Sequence, residues 1–139
     1  MPAGLAIERA NQNDIEAVLE LDGHPVHRAA LTKSIASGDC WIARIGTTAV
    51  GFAVADESFF GQCFIWALSV DERHRRTGIA TSLIGAIECT FGDRKLFTST
   101  NESNTPAQRL FDSLGFDRSG VIENLDEGDP EIVYFKRSA

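Results

Sequence analysis

The chain has 139 residues, 43% hydrophobic and 24% charged, with 12 Gly and 4 Pro. That fits one globular domain over residues 1–139 and excludes a disordered, collagen-like or repeat composition. Thirteen Lys and Arg against twenty Asp and Glu leave a net charge of −7, which repels a phosphate backbone and sets nucleic acid aside as a partner.

In chain order, Leu5-Ala6-Ile7 reads as a first strand, and Asn13 and Asp14 as the cap of a helix with Ile15, Val18, Leu19 and Leu21 on its apolar face. Gly23 and Pro25 break that helix, and a second runs from about Val26 to Ser37 before Gly38. Cys40–Ile45 and Thr48–Ala55 are β-rich runs separated by Gly46, the pattern of a hairpin. Phe59-Phe60-Gly61 turns the chain into Gln62–Val70, a nearly continuous apolar run that predicts a central strand buried on both faces. Ile79, Ala80, Leu83, Ile84, Ile87 and Phe91 follow helical spacing up to Gly92. Lys95–Thr100 is a strand, Pro106–Leu114 a helix, and Phe116–Ile122 and Glu131–Arg137 two last strands. The order β-α-α-β-β-β-α-β-α-β-β defines a mixed α/β domain.

No uncharged apolar run approaches the ~20 residues of a membrane helix. The opening residues lack the basic and then apolar regions of a secretion signal. The expectation is a cytoplasmic protein with no membrane partner. Cys40, Cys63 and Cys89 form no CxxC pair and sit among apolar neighbours, so they read as small buried hydrophobes. His24, His27 and His74 fit no metal-ligand spacing, and no metal is expected.

The stretch with chemical content is Leu68-Ser69-Val70-Asp71-Glu72-Arg73-His74-Arg75-Arg76-Thr77-Gly78-Ile79-Ala80-Thr81. A central strand ends at Val70, a polar loop follows, and a helix opens near Gly78. Helix N-termini expose unpaired N–H groups and about half a positive charge. Gly78 allows close backbone approach, and Arg75 and Arg76 add cationic forks suited to phosphate oxygens. These features read as a diphosphate-binding loop. A basic turn that merely solvates the junction is the plainer alternative. Neither the GxxxxGK[ST] loop nor the GxGxxG fingerprint is present.

Arg75-Arg76-Thr77-Gly78-Ile79-Ala80 resembles the R-x-x-G-x-G/A signature of the GNAT superfamily of acyl-CoA N-acyltransferases. Asn104-Thr105-Pro106-Ala107-Gln108-Arg109-Leu110-Phe111-Asp112-Ser113-Leu114-Gly115-Phe116 resembles its second motif, and the element order agrees along essentially the whole chain. The resemblance implies a largely antiparallel mixed sheet flanked by about four helices. It also implies acetyl-CoA as cosubstrate. The pantetheine arm would lie against Leu68, Ser69 and Val70, in a slot where the strand ending at Val70 splays from the next one. The pyrophosphate would sit on the amides from Arg76 to Thr81, including Thr77, Gly78, Ile79 and Ala80. Asn104 would touch the pantetheine, a role compatible with its being a helix N-cap. Phe111 would lie near the sulfur.

Acyl transfer needs a neutral amine, a polarised carbonyl and a leaving thiolate. The resemblance assigns the carbonyl to the N–H near Val70. Many relatives place a proton-donating tyrosine where this chain has Phe111, so that role does not carry over. Gln62–Val70 contains no carboxylate or histidine, and core packing accounts for its Phe64 and Trp66. Candidate acid–base groups are Glu57, Glu102 and Tyr134, with Asp56 at the same loop edge as Glu57. A water relay is the default.

Glu123, Asp126, Glu127, Asp129 and Glu131 crowd one stretch with no basic residue among them. A solvated turn explains this, and so does recruitment of a cationic acceptor. The expected function is transfer of an acetyl group to a primary amine of a small molecule or peptide, by direct attack in a ternary complex. The alternative is a non-catalytic acyl-CoA-binding or sensor module of the same fold. A homodimer is left open.

Overall fold

A computed structural model describes residues 2–137. Among them the elements follow the predicted order: β1 (Leu5–Arg9), α1 (Ile15–Asp22), α2 (Arg28–Ala36), β2 (Cys40–Ile45), β3 (Thr48–Phe59), β4 (Gln62–Val70), α3 (Ile79–Phe91), β5 (Lys95–Asn101), α4 (Thr105–Ser113), β6 (Asp117–Ile122) and β7 (Glu131–Arg137). The strands hydrogen-bond in the order β1-β2-β3-β4-β5-β7-β6. The β4–β5 pair is parallel, and the β1–β2, β2–β3, β5–β7 and β6–β7 pairs are antiparallel. The chain forms two compact units, and β3 and β4 each run through both.

The first unit comprises residues 2–55 and 67–90. α1 begins at Ile15 with Asp14 at its N-cap position, as expected, but the side-chain cap is Asn11, at the head of a 3-10 turn that precedes the helix. The Asn11 side chain accepts from the Asn13 amide at 2.9 Å, and the Asn11 amide donates to Asp14 at 2.8 Å. This reciprocal box closes a 3-10 turn over Gln12–Asp14. Gly23 ends α1 at φ 74°, donating to the Leu19 carbonyl. A second 3-10 turn, Pro25–His27, precedes α2, so that helix begins later than predicted.

Val18, Leu31, Ile42, Val50, Phe52, Ile79, Leu83 and Ile87 are buried at 0–1% exposure. Burying each stabilises the fold by roughly 1.5–3 kcal/mol before chain entropy is counted. Gly51 is required where β3 meets α3: a Cβ there would lie 3.1 Å from the Ser69 carbonyl oxygen and 3.2 Å from Ile79 Cγ2. Arg44 crosses from β2 to Glu8 at 2.6 Å and to the buried Asp14 at 2.7 Å. Those two hydrogen bonds push its guanidinium further above its usual pKa, Glu8 contributing most.

The second unit comprises residues 56–66 and 91–137. Along β5, Leu96, Thr98 and Thr100 are buried, while Phe97, Ser99 and Asn101 are half-buried. Residues two apart share a face of a strand. α4 covers the first set: Phe111 packs against Tyr134, the cross-strand partner of Thr98, with ring centroids 5.3 Å apart. On the opposite face Phe59, Phe64, Phe97 and Phe135 form an aromatic row with successive centroids 4.9, 5.3 and 5.9 Å from Phe59–Phe64, Phe59–Phe97 and Phe97–Phe135.

β4 departs from its predicted burial. Only Cys63 and Ile65 are buried and the rest of the strand is half-buried; over the stretch paired with β5, Cys63–Leu96, Phe64–Phe97 and Ile65–Thr98, Phe64 lies on the aromatic row. Trp66 is likewise half-buried, donating from Nε1 to Asp56 at 3.2 Å. Cys40 and Cys63 are buried as expected, whereas Cys89 is exposed on α3.

Candidate functional site

The strand–loop–helix junction lies within the first unit. After Val70 the Asp71 amide donates to the Val50 carbonyl at 2.8 Å, tying the strand end to β3. A 3-10 turn, Glu72–His74, follows, with His74 Nδ1 3.0 Å from Asp71 Oδ2. The Thr77 hydroxyl donates to the His74 carbonyl, closing the loop on itself. Arg76 stands at φ 63° and Gly78 at φ 88°. The left-handed region costs an ordinary side chain about 1–2 kcal/mol, so Arg76 is a strained position held by its surroundings. These two residues turn the chain into α3, whose first N–H groups have no intrahelical carbonyl. The Ser82 amide closes the first helical turn on the Gly78 carbonyl at 3.0 Å.

The predicted residues of this segment play different parts. Arg75, Arg76 and Thr77 are exposed. Arg75 folds back so that Nε donates to the Val70 carbonyl at 3.2 Å. No partner is recorded for the Arg76 guanidinium among the described residues. Ile79 is 1% exposed and offers a ligand only its backbone. The Ser69 hydroxyl donates to the Leu21 carbonyl at 2.9 Å, so Ser69 too presents only backbone groups. Leu68, Val70, Gly78 and Ala80 are half-buried and Thr81 is exposed. A depression of about 500 Å³ adjoins the loop, lined by residues including Leu21, Ala49, Ser69, Val70, Arg73 and Arg75. The parts of α1 and β3 that line it carry no motif. Gly51, which fits β3 to α3, was also invisible in the sequence as a support of this loop.

In the second unit Asn104 is the N-cap of α4, its side chain accepting from the Ala107 amide at 3.2 Å. Phe111 is only 4% exposed, enclosed by Tyr134 and Phe116. Glu57 is exposed and paired with Arg94 at 3.2 Å. Asp56 accepts from Trp66 and from the Ser58 amide. The Glu102 side chain is exposed. Tyr134 is fully buried, and its hydroxyl has no hydrogen-bond partner. A buried orphan hydroxyl costs about 1–3 kcal/mol, which makes Tyr134 the unexplained polar group of the unit. Among the described residues no His, Cys, Asp and Glu cluster has metal-binding geometry, and no helix is long and apolar enough to cross a membrane.

The acidic stretch divides in two. Asp126 accepts from Asn101 at 2.8 Å, Asp129 from the Ser103 amide and hydroxyl at 3.0 and 2.6 Å, and Glu131 from Ser99 at 2.7 Å. Those three carboxylates fasten the β6–β7 loop to the end of β5. Glu123 and Glu127 are exposed, and no side-chain partner is recorded for either.

A family model for the acetyltransferase (GNAT) family matches residues 6–116. The chain belongs to that family, whose chemistry is acyl transfer. It is 34% identical to an acetyltransferase of the GNAT family from Bacillus cereus ATCC 10987, with a TM-score of 0.87 over 97% of this chain and 98% of that one. Ard1 from Thermoplasma volcanium shares the fold at 18% identity, TM-score 0.85, over 99% of both chains. Arabidopsis thaliana Naa50, solved with the bisubstrate analogue CoA-Ac-MVNAL, shares it at 17% identity, TM-score 0.81, over 96% of this chain and 99% of that one. No curated protein matches the chain.

Proposed function

We propose that this protein is an acetyl-CoA-dependent N-acetyltransferase acting on a primary amine of a small molecule or peptide, by direct attack within a ternary complex. The observation that carries the proposal is the junction from Val70 to Thr81, where an exposed, strained Arg76 and a left-handed Gly78 lead into the open N-terminus of α3. That arrangement suits a diphosphate: backbone N–H groups face it, the helix dipole favours it, and a guanidinium forks onto its oxygens. The Naa50 structure, solved with the bisubstrate analogue CoA-Ac-MVNAL, supports a CoA-linked cosubstrate.

In this reading Arg75, Arg76 and the amides from Arg76 to Thr81 hold the pyrophosphate. Leu68, Ser69 and Val70 offer backbone groups to the pantetheine arm, and the N–H near Val70 polarises the thioester carbonyl. Asn104 and Phe111 are contacts on the strength of the family likeness. Attack forms the amide C–N bond and breaks C–S, while the amine proton must pass to base or water and a proton must reach the thiolate. Tyr134 is the donor we favour for the thiolate, its hydroxyl being buried and unpartnered. Glu57 is engaged by Arg94, which leaves Glu102 or a water relay to take the amine proton. Glu123 and Glu127 favour a cationic acceptor. We place the protein in the cytoplasm with no membrane partner, and its acidic charge sets nucleic acid aside.

Calorimetric titration of acetyl-CoA into the native chain and into Gly78→Glu tests the proposal. Binding by the native chain, lost in a folded variant, supports it, and absence of binding by the native chain overturns it. Thiol release on adding amines separates an enzyme from a module that only holds acetyl-CoA.

A further inference from the structure

β6 ends the hydrogen-bonded order and has β7 as its one strand neighbour, and all of its residues are exposed. A free edge presents unpaired N–H and C=O groups to any extended chain, and proteins guard against this with charges and bulges. Here the guard covers half the strand. Asp117 and Arg118 lie in the first half, and the register shifts between Arg118 and Gly120. Beyond that bulge come Gly120, Val121 and Ile122, without charge. Val121 is 55% exposed, Ile122 40%, and Leu125, just past the strand, 61%. They are three of the five large apolar side chains most open to solvent among the described residues.

The surrounding charge selects the occupant. Glu123 and Glu127 flank the apolar stretch, and no partner is recorded for either. The loop that holds them is fastened by Asp126, Asp129 and Glu131 and is therefore already ordered. Arg118, the cation on β6, is turned to Gln108 at 3.1 Å and to the Tyr134 ring. A second copy would bring another chain of net charge −7 to this edge, and the one cation of its own β6, Arg118, is already turned to Gln108. An anionic surface would be repelled in the same way.

We propose that the edge from Gly120 to Leu125 docks an extended, cationic peptide segment by strand addition. Its backbone pairs with β6; its apolar side chains cover Ile122 on one face, and on the other, which Val121 shares with Glu123, its lysines or arginines lay their stems along Val121 and meet Glu123 and Glu127. This goes beyond the acetyltransferase reading and holds whether or not the docked segment carries the amine.

The test is fluorescence anisotropy with the full chain and no acetyl-CoA, using a labelled peptide of about seven alternating lysines and valines. A version interrupted by proline keeps the charge and loses strand pairing, and a glutamate–valine peptide reverses the charge. The lysine peptide alone should bind and should slow amide exchange from Gly120 to Glu123. Glu123→Lys with Glu127→Lys should weaken it about ten-fold, corresponding to about 1.4 kcal/mol. Thermal melting confirms that this variant, altered at two exposed positions, stays folded. Equal binding of the proline version, no binding of the lysine peptide, or protection of the same amides through dimer formation seen in sedimentation would each overturn the proposal.

Discussion

The ring of Phe111 lies 5.3 Å from that of Tyr134 at an interplanar angle of 56°, so a helix residue without a hydroxyl packs directly on a strand residue whose hydroxyl has no partner. If that hydroxyl only packs, Tyr134→Phe relieves an unsatisfied group and leaves catalysis unchanged. If it protonates the leaving thiolate, the same variant keeps or gains about 1 kcal/mol of stability and loses at least about ten-fold in rate. Thermal melting and thiol release on one preparation distinguish the two. An unaltered rate removes Tyr134 from the mechanism.

Arg44 offers a sharper stability prediction. Asp14 is 6% exposed and closes the Asn11 cap as well as accepting from Arg44. Arg44→Met should cost about 3 kcal/mol, because a buried carboxylate loses its cation. Denaturant unfolding reads this directly, and Glu8→Gln, whose carboxylate is largely exposed, should cost well under half as much.

Burial pushes the thiols of Cys40 and Cys63 from 9.0 up to about 12. In the native protein at pH 8 a thiol reagent should therefore titrate Cys89 alone, with all three cysteines reacting in denaturant. The same shifts set a sign for alkaline stability. Below pH 9 both thiols are protonated in either state and the full stability is present. As the pH rises from 9 towards 12 the unfolded chain releases protons that the native chain retains, so stability falls. Unfolding midpoints that stay flat from pH 8 to 11 would contradict this.

The acidic stretch should divide in solution as it does in the fold. Asp129→Ala removes the acceptor of the Ser103 amide and hydroxyl and should cost about 1 kcal/mol. Glu127→Gln touches no recorded partner and should leave the melting temperature alone. It should raise KM for a cationic amine about three-fold while acetyl-CoA affinity holds. Equal kinetics across amines of different charge would remove Glu127 from acceptor recruitment.

The order of elements was readable because glycines punctuate it. Gly23, Gly38, Gly46, Gly61, Gly92 and Gly115 all have positive φ at the breaks where periodicity stops. The strand–loop–helix junction after Val70 was readable because its residues are contiguous. β3 was harder: Asp56-Glu57-Ser58 looks like a loop, yet the strand runs on to Phe59, with Trp66 donating to Asp56 and Arg94 to Glu57. Those partners are 10 and 37 positions away along the chain. The half-open face of β4 was hidden for a related reason, since a run of apolar residues does not say whether a helix or a row of phenylalanines will meet it. The division of the acidic stretch was beyond reach too, because Asn101, Ser103 and Ser99 lie 25 to 32 positions upstream.

Arg76 places two opposed demands on one residue. Its left-handed backbone suits glycine or asparagine, whereas the cation it would contribute to the proposed diphosphate site requires a long side chain. Mutational libraries ranked by heat resistance alone should therefore enrich replacements at this position that relax the turn and discard the guanidinium. An engineering campaign on this protein would do better to hold residue 76 fixed and seek stability at first-unit core positions such as Val18, Leu31 and Ile42, whose side chains only pack.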